Sequence, residues 1–171
     1  LVVNAVYELP FLKGSTGFVK QAFAGWQVGA IGSLLSGGPL GMNAAVNNTF
    51  SQGGGQRPDW NGVNPALGNR TVDRWFDTSV FSNPPAYTYG NAPRTFNGLR
   101  AQGARNFDLT ISKTFQLLEK LRLQFRGEAF NFTNPPRFAP PNQTFGNAQF
   151  GQVTSQLNQP RVVQFGLKLM W

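Results

Sequence analysis

Seven acidic side chains, Glu8, Asp59, Asp73, Asp77, Asp108, Glu119 and Glu128, hold the carboxylate chemistry of a chain that contains no Cys and no His. Thiol nucleophiles, imidazole bases, disulfides and zinc sites of the usual kind are thereby excluded. Only Asp73 and Asp77, in VDRWFDTSVF, are close in sequence. One turn apart on a short helix they could offer paired carboxylates for calcium or for acid–base work, but a capped surface turn is the plainer reading. Gly53-Gly54-Gly55 lacks the Gly-Lys-Ser/Thr ending of a phosphate loop, and Lys13-Gly14-Ser15 lacks the upstream glycine. Both read as flexible turns. The expectation is no enzyme, no cofactor and no metal site.

The 171 residues carry 15 Lys and Arg against those seven acids, a net charge of +8. Nucleic acid is a poor fit all the same: the cations are scattered singly, and the aromatics alternate in step with aliphatics instead of with Lys and Arg. Charged residues make up 13%, well below the share in ordinary soluble domains, and polarity comes mainly from 16 Asn and 13 Gln. The Asn-X-Thr triplets at Asn47, Asn69, Asn131 and Asn142 read as turn and loop residues in so Asn-rich a chain.

The elements that position these groups follow from period-two alternation, since Gly or Pro interrupts most windows of helical length. Val163, Phe165, Leu167, Leu169 and Trp171 alternate with Gln164, Gly166 and Lys168. Leu121, Leu123 and Phe125 alternate with Arg122, Gln124 and Arg126. Phe107, Leu109, Ile111 and Phe115 alternate with Asp108, Thr110, Ser112 and Thr114, with Lys113 the exception. Five strands are predicted near residues 1–9, 23–35, 106–116, 120–132 and 161–171. Between them lie long irregular loops, 36–105 and 133–160.

Loops of that length are foreign to a compact soluble domain but ordinary on the outer side of an outer-membrane barrel, whose other turns are short. Each strand also has about the 9–11 residues that a tilted transmembrane strand needs. The chain therefore reads as all-β, an antiparallel transmembrane β-barrel fragment with long extracellular loops, embedded in the lipid bilayer of the bacterial outer membrane. Five strands do not close a barrel of even strand number, so the expectation is one part of a larger barrel domain spanning residues 1–171. Asp108, Arg122, Arg126, Glu128 and Lys168 share the polar parity and are candidates to line the lumen. Tyr7, Phe115 and Trp171 are candidates for the interfacial girdle on the periplasmic side.

NFDLTISKTF from Asn106, RLQFRGEAFNFTNPPRF from Arg122 and FGQVTSQLNQPRVVQFGLKLMW from Phe150 resemble the C-terminal end of TonB-dependent outer-membrane receptors of the Oar-like group. YELP at Tyr7 and the Gly25-Trp26 pair are similar to an upstream hairpin of that group. The resemblance implies a large barrel around a plug absent from these residues. Through that plug the TonB complex would drive import of an iron chelate or an oligosaccharide. It also implies that Val163, Phe165, Leu167, Leu169 and Trp171 form the assembly signal read by the barrel insertion machinery, by strand addition. The competing reading is a soluble β-rich adhesion or carbohydrate-binding module.

Overall fold

The computed structural model describes residues 1–11, 16–50, 53 and 55–171. Its elements are β1 (Val2–Glu8), α1 (Gly17–Phe23), β2 (Gln27–Leu35), β3 (Asn43–Ala44), β4 (Asp59–Trp60), β5 (Phe81–Ser82), β6 (Ala104–Gln116), β7 (Arg122–Phe130), β8 (Thr144–Phe145) and β9 (Val162–Met170). The chain forms two compact units. One comprises Leu1–Leu35, Ala104–Pro136 and Gln159–Trp171, the other Ser36–Gly103 and Arg137–Asn158.

The first unit is a five-stranded antiparallel sheet in the order β1-β2-β6-β7-β9, held by regular ladders that pair Tyr7 with Val28, Val28 with Ile111, Ile111 with Gly127 and Gly127 with Phe165. Because directly opposed residues share a face, this register sorts every strand at once. Val3, Ala5, Tyr7, Val28, Ala30, Phe107, Leu109, Ile111, Phe115, Leu123, Phe125, Val163, Phe165, Leu167 and Leu169 fall on one face. Gln27, Ser33, Thr110, Ser112, Thr114, Gln124, Glu128, Gln164 and Lys168 fall on the other, which also carries Val2, Val6 and Ile31. Trp26 packs edge-on against Phe115 and Phe125 and so belongs to the apolar face.

Two sequence expectations need correction. The strand expected over 23–35 begins at Gln27, because Phe23 closes the seven-residue helix α1 and Gly25 then turns the chain at φ +75°. Seven residues opening on a glycine are too few to show a helical period. The helix buries none of its residues, and Gln21 Nε2 ties it to the sheet by donating to the Gln116 carbonyl at 2.6 Å. Lys13-Gly14-Ser15 lies outside the described residues, as do Ser51, Gln52 and Gly54.

The second concerns the long loops, which are as poor in regular structure as expected, with strands of only two residues, but do not stand as separate connections. Residues of both excursions fold together as the second unit, where β3 pairs in parallel with β8 and β4 pairs with β5. Leu40, Met42, Trp75, Phe76, Val80, Phe81, Ala92, Phe96 and Leu99 form its core, with Trp60, Phe145, Phe150 and Val153 packed against it. The rings meet edge-to-face, Phe76 with Phe150 at 5.1 Å and Phe81 with Phe96 at 5.6 Å between centroids. This unit buries its apolar residues against one another, whereas the sheet leaves its own uncovered.

Candidate functional site

The sheet's apolar face is the feature that demands a function. Phe165 is 74% exposed, Leu167 72% and Tyr7 62%, and they belong to a continuous apolar surface across five strands. Soluble monomers rarely leave so large a surface to water. No helix of the described residues is long and apolar enough to cross a membrane, a fact that has no bearing on strands. Four of the five strands have nine to thirteen residues and β1 has seven, and strands of about nine to eleven residues with one apolar and one polar face are what a barrel wall requires.

Lengthwise, the apolar band on β6 is bracketed by two cations of the same parity, Arg105 opposite Leu34 and Lys113 opposite Phe125. Eight residues span about 26 Å along a strand, or about 20 Å of depth at the usual barrel tilt, near the roughly 25 Å height of a barrel's apolar band. Aromatics collect at the Lys113 end. Tyr7 is the last residue but one of β1, Phe115 lies near the end of β6 and Trp171 follows β9, 91% exposed. Sequence reasoning placed these three as a girdle and left out Trp26, whose edge contacts bring it to the same end; the Gly25-Trp26 pair was the available signal.

On the polar face, Arg126 Nη2 pairs with Glu128 Oε1 at 2.5 Å, and Glu128 Oε2 accepts from Gln164 Nε2 at 2.5 Å. Gln124 stands opposite Lys168 and Gln116 opposite Arg122. Asp108 does something more local. Its Oδ1 accepts from the Asn131 backbone N–H at 2.8 Å and its Oδ2 from Asn106 Nδ2 at 2.9 Å. Asn131 and Asn134 both take left-handed backbone, φ +50°, which Asn tolerates better than most residues. Asp108 thus fastens the Asn-Phe-Thr-Asn turn to β6, and two of the sequence segments that carry the resemblance meet through it. Asn134 Oδ1 then accepts from the Arg161 N–H at the entry to β9.

Asp73 and Asp77 lie on a surface turn. Asp77 Oδ1 accepts from Ser79 Oγ at 2.8 Å and Ser79 N at 3.2 Å and pairs with Arg74 at 3.0 Å. Among the described residues, no three Asp or Glu side chains come together as a metal site. The Ser79 hydroxyl, with its N–H and Arg74 adding to it, holds the Asp77 carboxyl below the usual carboxylate value. A depressed folded value means a stabilising contribution that is complete above the unfolded value near 3.8 and fades as pH falls through the lower folded value. The gap in urea midpoint between wild type and Asp77→Asn should therefore be present at pH 6 and close below about pH 3. A gap unchanged with pH would count against this role.

The arrangement thus offers a lipid-facing wall, an aromatic rim and a hydrogen-bonded polar face. A family model described as an outer membrane beta barrel domain matches residues 1–164, stopping within β9. No curated protein and no solved structure matches the chain. The apolar face is the one that such a barrel turns to lipid, and the polar face the one it turns to its lumen. The chain belongs to the outer membrane beta barrel domain family, and its place is the bacterial outer membrane.

Proposed function

We propose that the chain is barrel wall and extracellular structure of a TonB-dependent receptor of the Oar-like kind, which imports a scarce ligand such as an iron chelate or an oligosaccharide. The observation that carries this reading is the second unit. Both excursions leave the sheet at the end opposite the short β6–β7 turn, after Leu35 and Phe130, and fold around an aromatic core. A passive pore has little use for so large a folded excursion; a receptor that captures ligand before import does. The motif likeness around Asn106, Arg122 and Phe150 supports the same group.

In this reading the chain itself performs no catalysis. The TonB complex acts through a plug that is not among these residues. The insertion machinery pairs with β9, an edge strand whose Val163, Phe165, Leu167 and Leu169 present one apolar row ahead of Trp171. The membrane location argues against the soluble sugar-binding module.

Sidedness and import are tested together. With no native Cys in the chain, Val63→Cys, exposed in the second unit, and Leu118→Cys, exposed in the β6–β7 turn, are unique labels. A membrane-impermeant maleimide should label Val63→Cys in intact cells and Leu118→Cys only after the outer membrane is opened. Cells lacking the protein should lose growth on a limiting iron chelate or on an oligosaccharide as sole carbon source, and an uncoupler should stop uptake. Reversed labelling, or growth unaffected on both ligand classes, would overturn the receptor reading.

A further inference from the structure

We propose that the Lys113 end of the sheet holds the phosphate of one membrane-lipid headgroup, a binding site separate from any import function. Lys113 breaks the alternation of β6, placing a cation on the lipid-facing side, yet it is only 4% exposed. Its Nζ donates to the Ala24 carbonyl and lies 5.6 Å from the Trp26 ring and 5.0 Å from the Phe115 ring. Two ring faces and one carbonyl leave a three-donor ammonium without an anion. Among the described residues the ion pairs are Arg74–Asp77 and Arg126–Glu128, and Lys113 belongs to neither. A buried cation so placed is costly unless an anion joins it.

There is room for one. A cavity of about 610 Å³ opens beside Lys113 between α1 and the end of β6, lined also by Lys20, Gln21 and Glu8. With Thr114 and Gln116 also in the lining, two cations, two amides and a hydroxyl face one carboxylate, so the lining favours an anion with hydrogen-bond acceptors. Depth selects the anion's source. Lys113 sits at one limit of the apolar band, in the company of Tyr7, Trp26, Phe115 and Trp171, the level at which headgroups meet water. On the same face, Phe125 opposite Lys113 and, on the band side of it, Ile111 and Val28 give the acyl chains of that lipid an apolar bed. Free phosphate would gain nothing from that bed, and a lipid phosphate gains from both.

The test is native mass spectrometry of the intact protein released from detergent micelles containing phosphatidylglycerol or, in a parallel sample, phosphate-free diacylglycerol. Wild type should keep one phosphatidylglycerol and no diacylglycerol. Lys113→Met should lower the retained fraction about tenfold, and Lys113→Arg should keep most of it. Millimolar inorganic phosphate should not displace the lipid. Equal retention by wild type and Lys113→Met, equal retention of diacylglycerol, or displacement by inorganic phosphate would each overturn the proposal. Should Lys113→Met fail to fold, Lys20→Met on the exposed helix carries the same test: weaker retention supports the site, and unchanged retention removes it.

Discussion

Replacing Phe165 or Leu167 with Arg should keep the protein out of the outer membrane, while Gln164→Arg, one position away, should leave it there. Phe165 lies mid-strand in β9, opposite Gly127, and stacks on Phe125 at 6.1 Å; Leu167 lies opposite Phe125 itself. Both side chains have the lipid-facing parity, Leu167 level in register with Lys113 and Phe165 two residues further into the apolar band, and an arginine's cost rises with depth toward about 2–4 kcal/mol at the midplane, so Phe165→Arg should be the more severe. Gln164 belongs to the polar face, hydrogen-bonded to Glu128, and a cation there joins Arg126 and Lys168 in water. The measurement is the amount of heat-modifiable, folded protein in outer-membrane fractions. Equal recovery of Phe165→Arg and Gln164→Arg would mean that the two faces do not differ as the register says. Because β9 is also the strand proposed to be read during assembly, Phe165→Ala separates the two roles. It removes an apolar side chain without adding charge, so any assembly defect it shows reflects recognition more than lipid solvation.

The sheet was legible because lipid-facing strands have a strict period of two, and a period is what a single sequence displays. The strand expected at 106–116 occupies Ala104–Gln116, and that expected at 161–171 occupies Val162–Met170. The break in the pattern at Lys113 was legible too, although its surroundings were not: Trp26 and Ala24 reach it only because the chain turns at Gly25. The pairing of Arg126 with Glu128 follows from parity, whereas the bond from Asn131 to Asp108 depends on a left-handed backbone that no alternation encodes. The second unit was illegible for a different reason. Its strands are two residues long, and its aromatics at Trp60, Phe76, Phe81, Phe96 and Phe150 follow no period. Contacts such as Phe76 with Phe150 join residues far apart in sequence, so only the folded chain reveals them.

Truncating Phe76 to Ala should disorder that unit while leaving the protein in the membrane. Phe76 has no exposed surface; its ring contacts Phe81 at 6.2 Å and Phe150 at 5.1 Å. On either side of it, the Trp75 N–H donates to Gly151 O and the Asp77 N–H to Pro65 O, so the residue stands where the two excursions are sewn together. Removing a buried Phe ring costs about 3–5 kcal/mol, a large share of the roughly 5–15 kcal/mol that holds a whole domain. Gly151 leaves little scope for repacking, since a Cβ there would stand 2.7 Å from the Thr78 methyl carbon and the chain is already at φ +83°. Protease added to intact cells should cut the variant within 36–103 or 137–158 at least tenfold faster than wild type, with the sheet still protected. Phe76→Leu should be intermediate, because a leucine fills part of the space and keeps apolar contact. Val63→Ala, at an exposed position, should change nothing measurable. Equal protease resistance of Phe76→Ala and wild type would show that the aromatic core does not hold the excursions. Loss of the protein from the membrane would instead show that the sheet depends on a core from which its own hydrogen-bond ladders are separate.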